Sequence, residues 1–291
     1  MTLRHLKILK AVADEGGMSA AAKKLHIAQP SVSQAIAEME KYYGVKLFER
    51  LSQKLYITKE GELMLSFSRH ILDSFEQMEE AMGLAGEKTV LRIGCSVTVG
   101  TCLINEILDR AAKEMPQLRF EVRVSNSTDI ERAILCNEVD IGIVEGIINS
   151  RELLISPICD DELVLVCGSC HLLAKEKKIT FDLLEGQDYV SRESGSADRN
   201  QLEKIFEEQG IQFRRTFCST NTEAIKNAVI CGRGIAVLSK RIIEKEVKNG
   251  DIVVLPVEGV KATRNINLVI HKNKYLSDSI KLIWEVAKNV E

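Results

Sequence analysis

No apolar run in this 291-residue sequence approaches the ~18 residues that a membrane-spanning helix requires, so no membrane partner is expected. There is no Walker-type phosphate loop and no Gly-x-Ser-x-Gly elbow, the backbone devices that hold a nucleotide or present a nucleophilic serine. The histidines, His5, His26, His70, His171 and His271, are scattered, and none pairs with a nucleophile or a carboxylate cluster. These absences leave no candidate catalytic residue and no implied cofactor, and the chain is not expected to be an enzyme. No secretion signal is expected. The first five residues lead straight into an amphipathic helix, which points to the cytoplasm.

Eight cysteines stand at positions 95, 102, 136, 159, 167, 170, 218 and 231. Most have apolar neighbours, as in Pro157-Ile158-Cys159 and Val229-Ile230-Cys231, and reduced thiols of this kind serve as small core residues. Cys167-Gly168-Ser169-Cys170-His171 stands apart, because Cys-x-x-Cys is also a redox or half-zinc pattern and Cys-x-x-Cys-His a haem-attachment pattern. Covalent haem attachment needs export, and zinc needs a second ligand pair that is not spaced nearby, so no metal is expected. Packing and redox sensing both stay open for this pair.

The length, with 45% hydrophobic and 28% charged residues, suits two domains of an ordinary globular protein. Charge divides them. Residues 1–60 hold ten Lys and Arg against six Asp and Glu, a net +4, and the other 231 residues carry a net −7. A small basic domain beside a larger acidic one fits DNA at one end and a different partner at the other.

The basic end carries the most specific pattern, from Ser19 to Ile36. Ser19 is an expected N-cap, and Ala20, Ala21 and Ala22 make a helix thin enough to pack closely. Pro30 suits the first turn of a second helix. Val32, Ile36, Met39 and Tyr43 follow at helical spacing as one inward stripe, leaving Ser31, Ser33, Gln34 and Glu38 outward. Small polar side chains on such a face can bond base edges or phosphates in the major groove. Any helical hairpin with a small-residue corner shares part of this pattern, but more follows it. Gly44 ends the helix, and strand-like segments on either side of Ser52-Gln53-Lys54 form a wing with Arg50 and Lys54 placed to meet phosphates. The candidate DNA contacts are Ser19, Gln29, Pro30, Ser31, Ser33, Gln34, Arg50 and Lys54.

Ala21-Ala22, Leu25, Gln29-Pro30-Ser31-Val32-Ser33, Ile36, Glu40, Gly44, Leu47-Phe48, Arg50, Thr58 and Gly61 together resemble the N-terminal signature of LysR-type transcriptional regulators. Met39 and Tyr43 stand where that family usually carries Leu. The resemblance implies a winged helix-turn-helix, an interrupted palindromic operator, control by a small-molecule effector and RNA polymerase as a further partner.

Thr58 can cap a long helix reaching about Ala85, in which Met64, Phe67, Ile71, Ser74, Met78, Ala81 and Ala85 form a coiled-coil-like seam. The seam predicts a homo-oligomer, dimer or tetramer; packing on its own domain is the alternative. Gly83 and Gly86 mark a hinge. The expected domains are 1–58, the winged helix-turn-helix; 59–86, the linker helix; and 87–291, the regulatory domain.

From Val90 strands and helices alternate, which implies a largely parallel sheet covered by helices. Helices are expected over residues 101–115 and 128–137. Residues 128–134 and 141–144 align at an offset of 94 with 222–228 and 235–238, so two similar Rossmann-like lobes are expected in tandem, lobe I about 90–161 and 267–291, lobe II about 162–266. This resembles the periplasmic-binding-protein-like regulatory domain of the same family.

Ligands of such sheets sit beyond strand ends, against helix N-termini. Four hydroxyl-rich loops fit that place: residues 95–100, 125–128, 191–196 and 219–222. Helix capping explains each alone; four converging on one cleft would favour an anionic metabolite. Ser96, Thr98, Ser127 and Thr222 resemble the family's effector contacts, and the candidate set adds Val97, Glu145, Arg192, Ser194 and Ser196. Arg199 is a second possible counter-charge, although Ala197-Asp198 replaces the family's Gly-Thr before it. Glu145 can pair with an arginine or meet an amine. The redox-sensing regulator remains the alternative function.

Overall fold

Leu6, Ile8, Leu9 and Val12 line the inner face of α1 (Leu3–Glu15), and the first core is assembled around them. The computed structural model describes residues 1–51, 54–82, 90–194, 196, 205–257 and 262–290. Its contacts define two units: Met1–Lys88 with Leu135–Glu138 and Asn273–Tyr275, and Thr89–Ile134 with Val139–Lys272 and Leu276–Glu291.

In the first unit α2 (Met18–Lys24) starts at Gly17, whose carbonyl accepts from Ala21 N at 3.0 Å. Ser19 therefore lies inside the helix and caps nothing, contrary to expectation. The corner is made by His26, left-handed at φ 54°, with Ile27 N bonded to Ala22 O and His26 N to Lys23 O. Those two bonds satisfy carbonyls that the helix end leaves open. α3 (Gln29–Tyr43) buries Val32, Ala35, Ile36 and Met39 and stops at Gly44, where a φ of 69° favours glycine. Tyr43 departs from the inward stripe. It is 45% exposed in the last turn of α3, and its hydroxyl points to Met1 Sδ.

β1 (Phe48–Leu51) and β2 (Lys54–Ile57) pair antiparallel from Phe48 opposite Ile57 to Leu51 opposite Lys54. The expected turn residues Ser52 and Gln53 lie outside the described residues. Thr58 Oγ1 accepts from Gly61 N at 3.0 Å and caps α4 (Lys59–Ala81) as anticipated. This helix buries Leu65, Ser68 and Leu72 on one side. On another, Phe67 (61%) and Ile71 (44%) are exposed, as are Ser74 and Met78. Packing on its own domain takes up Met64, the first residue of the expected seam, and leaves these four uncovered. The side chain of Ala81, and Gly83, Ala85 and Gly86, lie outside the described residues.

The second unit holds β3 (Val90–Cys95), β4 (Arg119–Val124), β5 (Ile141–Glu145), β6 (Leu153–Gly168), β7 (Asp188–Arg192), β8 (Arg214–Ser219), β9 (Ala236–Ser239), β10 (Ile252–Val254) and β11 (Ala262–His271). Its main sheet runs β10-β6-β11-β5-β3-β4, with β9 also on β6. β3 is parallel to β4 and β5, and β7 to β8, but every pair made by β6 or β11 is antiparallel. The expectation of a largely parallel sheet is corrected accordingly. β6 and β11 run in opposite directions from one lobe to the other, and strand–helix alternation carries no signal for such long return strands. The expected lobe boundary at 161–162 falls inside β6.

The predicted helix over 101–115 breaks at Leu103 into α5 (Val97–Cys102) and α6 (Ile104–Glu114), and the expected 128–137 helix is α7 (Ser127–Leu135). α8 (Thr222–Ile230), α9 (Glu244–Asn249) and α10 (Asp278–Lys288) lie further along the chain. Lobe I is cored by Leu91, Ile93, Ile141 and Ile143 against Ile107 of α6 and Ile283 of α10. A Cβ on Gly142 would lie 2.5 Å from Ile134 Cδ1, so glycine there lets α7 rest directly on β5. Lobe II is cored by Leu165, Tyr189, Phe206 and Ile235.

Candidate functional site

Two surfaces collect the residues of interest, one in each unit. In the first, Ser19, Gln29, Arg50 and Lys54 line a single open hollow between α2, the start of α3 and the wing, with Met18 and Tyr56 beside them. Gln29 Nε2 donates to Ser33 Oγ at 2.7 Å, and Ser33 Oγ in turn points to Met18 Sδ at 3.1 Å. α3 has no side-chain cap at its start, where Ala28 stands, so no capping side chain offsets the partial positive charge of that end. Ser31 and Gln34 line a second hollow with Arg4, His5 and Glu38. Gln34 Nε2 donates to Glu38 Oε1 at 2.8 Å, and His5 Nε2 lies 3.0 Å from Glu38 Oε2, which holds the Glu38 carboxyl below its ordinary range. Pro30 is exposed on the same helix. Arg4 and His5 were not singled out by sequence reasoning. They come from α1, and only tertiary packing brings them to α3.

In the second unit, Ser96, Thr98 and Glu145 come together, but around residues that sequence reasoning missed. Ser96 Oγ donates to Glu145 Oε2, and Thr98 Oγ1 donates to Glu145 Oε1 at 3.2 Å. The arginine that Glu145 meets is Arg264, with Nη1 3.6 Å from Oε1. Arg264 also donates through Nη2 to Thr98 Oγ1 at 3.1 Å and through Nε to Asp161 Oδ2 at 2.8 Å. Asp161 accepts a further bond from Ser239 Oγ at 2.7 Å. The Arg264 side chain is 1% exposed. Arg264 and Asp161 are direct cross-strand partners in the β11–β6 pair, a relationship visible only once the register is known.

Arg192 and Thr222 form the second group. Arg192 Nη1 donates to Thr222 Oγ1 at 3.2 Å, and Nε and Nη2 grip Glu193 at 2.9 and 3.1 Å. The first amides of α8 are not open to a ligand, because Asn221 Oδ1 accepts from Glu223 N and Ala224 N. At α7, Asn126 Oδ1 takes Asp129 N at 2.9 Å. Ser127 Oγ, however, is buried with no hydrogen-bond partner among the described residues. Val97 is half-buried at the start of α5, Ser194 is exposed, and Ser196 is buried with its amide on Glu193 O at 3.3 Å. Ala197, Asp198 and Arg199 lie outside the described residues.

The cysteines are free thiols. Cys95 and Cys167 are buried, and burial pushes their thiols up to about 12 and about 11, away from the reactive thiolate. Cys170, Cys218 and Cys231 are exposed, so the expectation of mostly buried cysteines holds only in part. Cys231 follows two apolar residues but falls at the C-cap of α8, beyond the face that packs.

Known proteins match both units. The model of the bacterial regulatory helix-turn-helix protein, lysR family, covers residues 3–62, and that of the LysR substrate binding domain covers residues 84–290. The chain belongs to the LysR family of transcriptional regulators. It is 31% identical over 298 residues to a probable RuBisCO transcriptional regulator of Phaeodactylum tricornutum, spanning 100% of this chain and 97% of that relative. Full-length OxyR from Pseudomonas aeruginosa, solved as a variant, matches with a TM-score of 0.80 at 20% identity over 100% of this chain and 96% of that one. The regulatory domain of CcmR from Synechocystis PCC6803, solved in complex with 2-PG, matches with a TM-score of 0.64 at 24% identity over 68% of this chain and 95% of that one. At these identities the solved structures establish a shared fold. The LysR-family chain thus joins a DNA-binding helix-turn-helix to an effector-binding regulatory domain, and no described helix is long and apolar enough to cross a membrane.

Proposed function

We propose that a small oxyanionic metabolite, bound between the two lobes of the regulatory domain, controls how a cytoplasmic homo-oligomer of this regulator binds an interrupted palindromic operator. The observation that carries the reading is Arg192, whose side chain is buried and bonded to Thr222 at the start of α8. Arginine at a helix N-terminus is matched to carboxylate and phosphate by charge and by its fork of donors. Ser127 supports the same reading, since its buried hydroxyl, at the first residue of α7, has no partner among the described residues. Glu145 does not argue against an anion, because Arg264 lies against it. The oligomer rests on the exposed Phe67, Ile71 and Met78 of α4.

The redox alternative gains no support from Cys167, which is shielded and whose thiol is pushed up to about 11.

Operator binding by the full chain, titrated with a panel of carboxylate and phosphate metabolites, tests the proposal. Each charge-assisted bond to such a ligand contributes about 1.5–3 kcal/mol, so Ser127→Ala and Thr98→Ala should lose the response and keep operator affinity. A response confined to neutral or cationic metabolites sinks the anionic reading. A response to peroxide that Cys167→Ser abolishes would establish redox sensing in its place.

A further inference from the structure

The oxyanion reading of this site leaves one feature unexplained: Arg192 already holds a carboxylate. Its Nε donates to Glu193 Oε2 at 2.9 Å and its Nη2 to Glu193 Oε1 at 3.1 Å, while Nη1 is taken by Thr222. Two parallel donors on the two oxygens of one planar group is the arrangement by which arginine recognises a carboxylate ligand. The two residues are adjacent in sequence at the end of β7, where successive side chains normally point to opposite faces. Glu193 reaches back because it stands just past the last strand residue, on a segment outside the ladder. Its side chain is the more accessible of the two, 17% exposed against 4% for Arg192.

We propose that Glu193 is a tethered stand-in for the effector: a carboxylate of the chain itself that occupies the Arg192 fork until an oxyanion with two adjacent acceptor oxygens displaces it. The inference rests on the oxyanion reading above and adds its gate. Two consequences follow. The ligand-free site keeps its buried guanidinium paired, which avoids the cost of an uncompensated charge. The apparent affinity for the effector is lowered by the fraction of time the clamp is open, so the regulator responds only at raised effector concentration. Specificity follows too, because an entering group must offer the fork at least what Glu193 offers. A neutral hydroxyl compound does not.

The experiment uses the full chain and two probes, malonate and inorganic phosphate, titrated in separate arms and read by thermal stabilisation and calorimetry. Wild type, Glu193→Gln, Glu193→Asp and Arg192→Met are compared. Glu193→Gln should lower the midpoint for at least one probe by about tenfold, the gain expected if the clamp is closed some nine-tenths of the time. The arm showing that gain distinguishes carboxylate from phosphate as the source of the oxyanion. Glu193→Asp keeps the charge but is too short to meet both nitrogens, and should give a smaller gain if Glu193→Gln folds poorly. Arg192→Met should bind neither probe. Equal midpoints in wild type and Glu193→Gln, both lost in Arg192→Met, overturn the gate and leave the oxyanion site standing. Absence of stabilisation by either probe in every variant overturns both.

Discussion

Arg264 and Asp161 face each other across the antiparallel β11–β6 pair, and two guanidinium nitrogens, Nε at 2.8 Å and Nη2 at 2.7 Å, converge on one carboxylate oxygen. Both side chains are essentially inaccessible to water. With Glu145 on the other side of the guanidinium, the pair forms the polar centre of the strands that pass between the lobes. Removing Arg264 strands two buried carboxylates, Asp161 and Glu145, and removing Asp161 leaves the guanidinium only the longer 3.6 Å contact with Glu145. Asp161→Asn and Arg264→Met should therefore each cost about 3–5 kcal/mol in denaturant unfolding of the regulatory domain. The double variant Asp161→Leu with Arg264→Met should recover only part of that loss, since Glu145 is then left buried without the guanidinium it meets. Single variants with unchanged midpoints would show that the pair is not what holds this centre.

Sequence reasoning went furthest where a function is encoded in neighbouring residues. The corner between α2 and α3, the Gly44 stop, the wing and the Thr58 cap are all local signals, and the helix-turn-helix was legible from them. The regulatory cleft was legible only as a set of loops. Ser96, Thr98 and Glu145 were named, but Arg264 and Asp161, which hold them together, lie far along the chain on return strands without a distinguishing pattern. Glu193 lies inside the 191–196 loop that the sequence marks, but no local pattern pairs its carboxylate with the Arg192 guanidinium. Ser19 failed as a cap because Gly17, in extended backbone, starts the helix earlier.

On the DNA surface, Gln34 is held by Glu38 and Ser33 by Gln29, so these amides and hydroxyls are set in orientation before DNA arrives. Ser33→Ala or Gln34→Ala should cost roughly 1–3 kcal/mol on the specific operator and much less on random duplex. Arg50→Ala and Lys54→Ala should weaken both kinds of DNA alike and each reduce the salt slope by about one. Fluorescence anisotropy on the two duplexes at several salt concentrations separates the classes. Equal losses on operator and random DNA for the α3 variants would show that they do not read sequence.

The face of α4 bearing Phe67, Ile71, Ser74 and Met78 is uncovered in a single chain, while Leu65 and Leu72 on the other side are buried. A charge at the centre of that face should split an oligomer without unfolding the domain. Ile71→Glu should sediment as a monomer and bind a two-half-site operator far more weakly than wild type, while a single half-site is bound as before. If Ile71→Glu sediments with the wild-type oligomer, the face is not the dimer seam.

Glu40 joins the recognition helix to the wing: its Oε1 accepts from Leu47 N at 2.9 Å and Phe48 N at 3.4 Å, and its Oε2 from Lys46 Nζ at 2.8 Å. Burial pushes its carboxyl up, but the Lys46 ammonium and the two amides outweigh burial and hold it below its ordinary value of 4.5. A carboxyl depressed in the folded state binds its proton more readily in the unfolded chain. Its stabilisation is then complete above the unfolded value and is lost as pH falls through the lower, folded one. Glu40→Gln removes the charge and should cost about 1–2 kcal/mol at neutral pH. The gap between wild type and Glu40→Gln should narrow progressively as the solution is acidified below 4.5. Thermal unfolding of both proteins from pH 7 to pH 3 follows that gap. Other carboxylates contribute to acid loss in both proteins, so only the difference reports on Glu40. A gap that stays constant across this range would show that the carboxylate charge does not tie α3 to the wing.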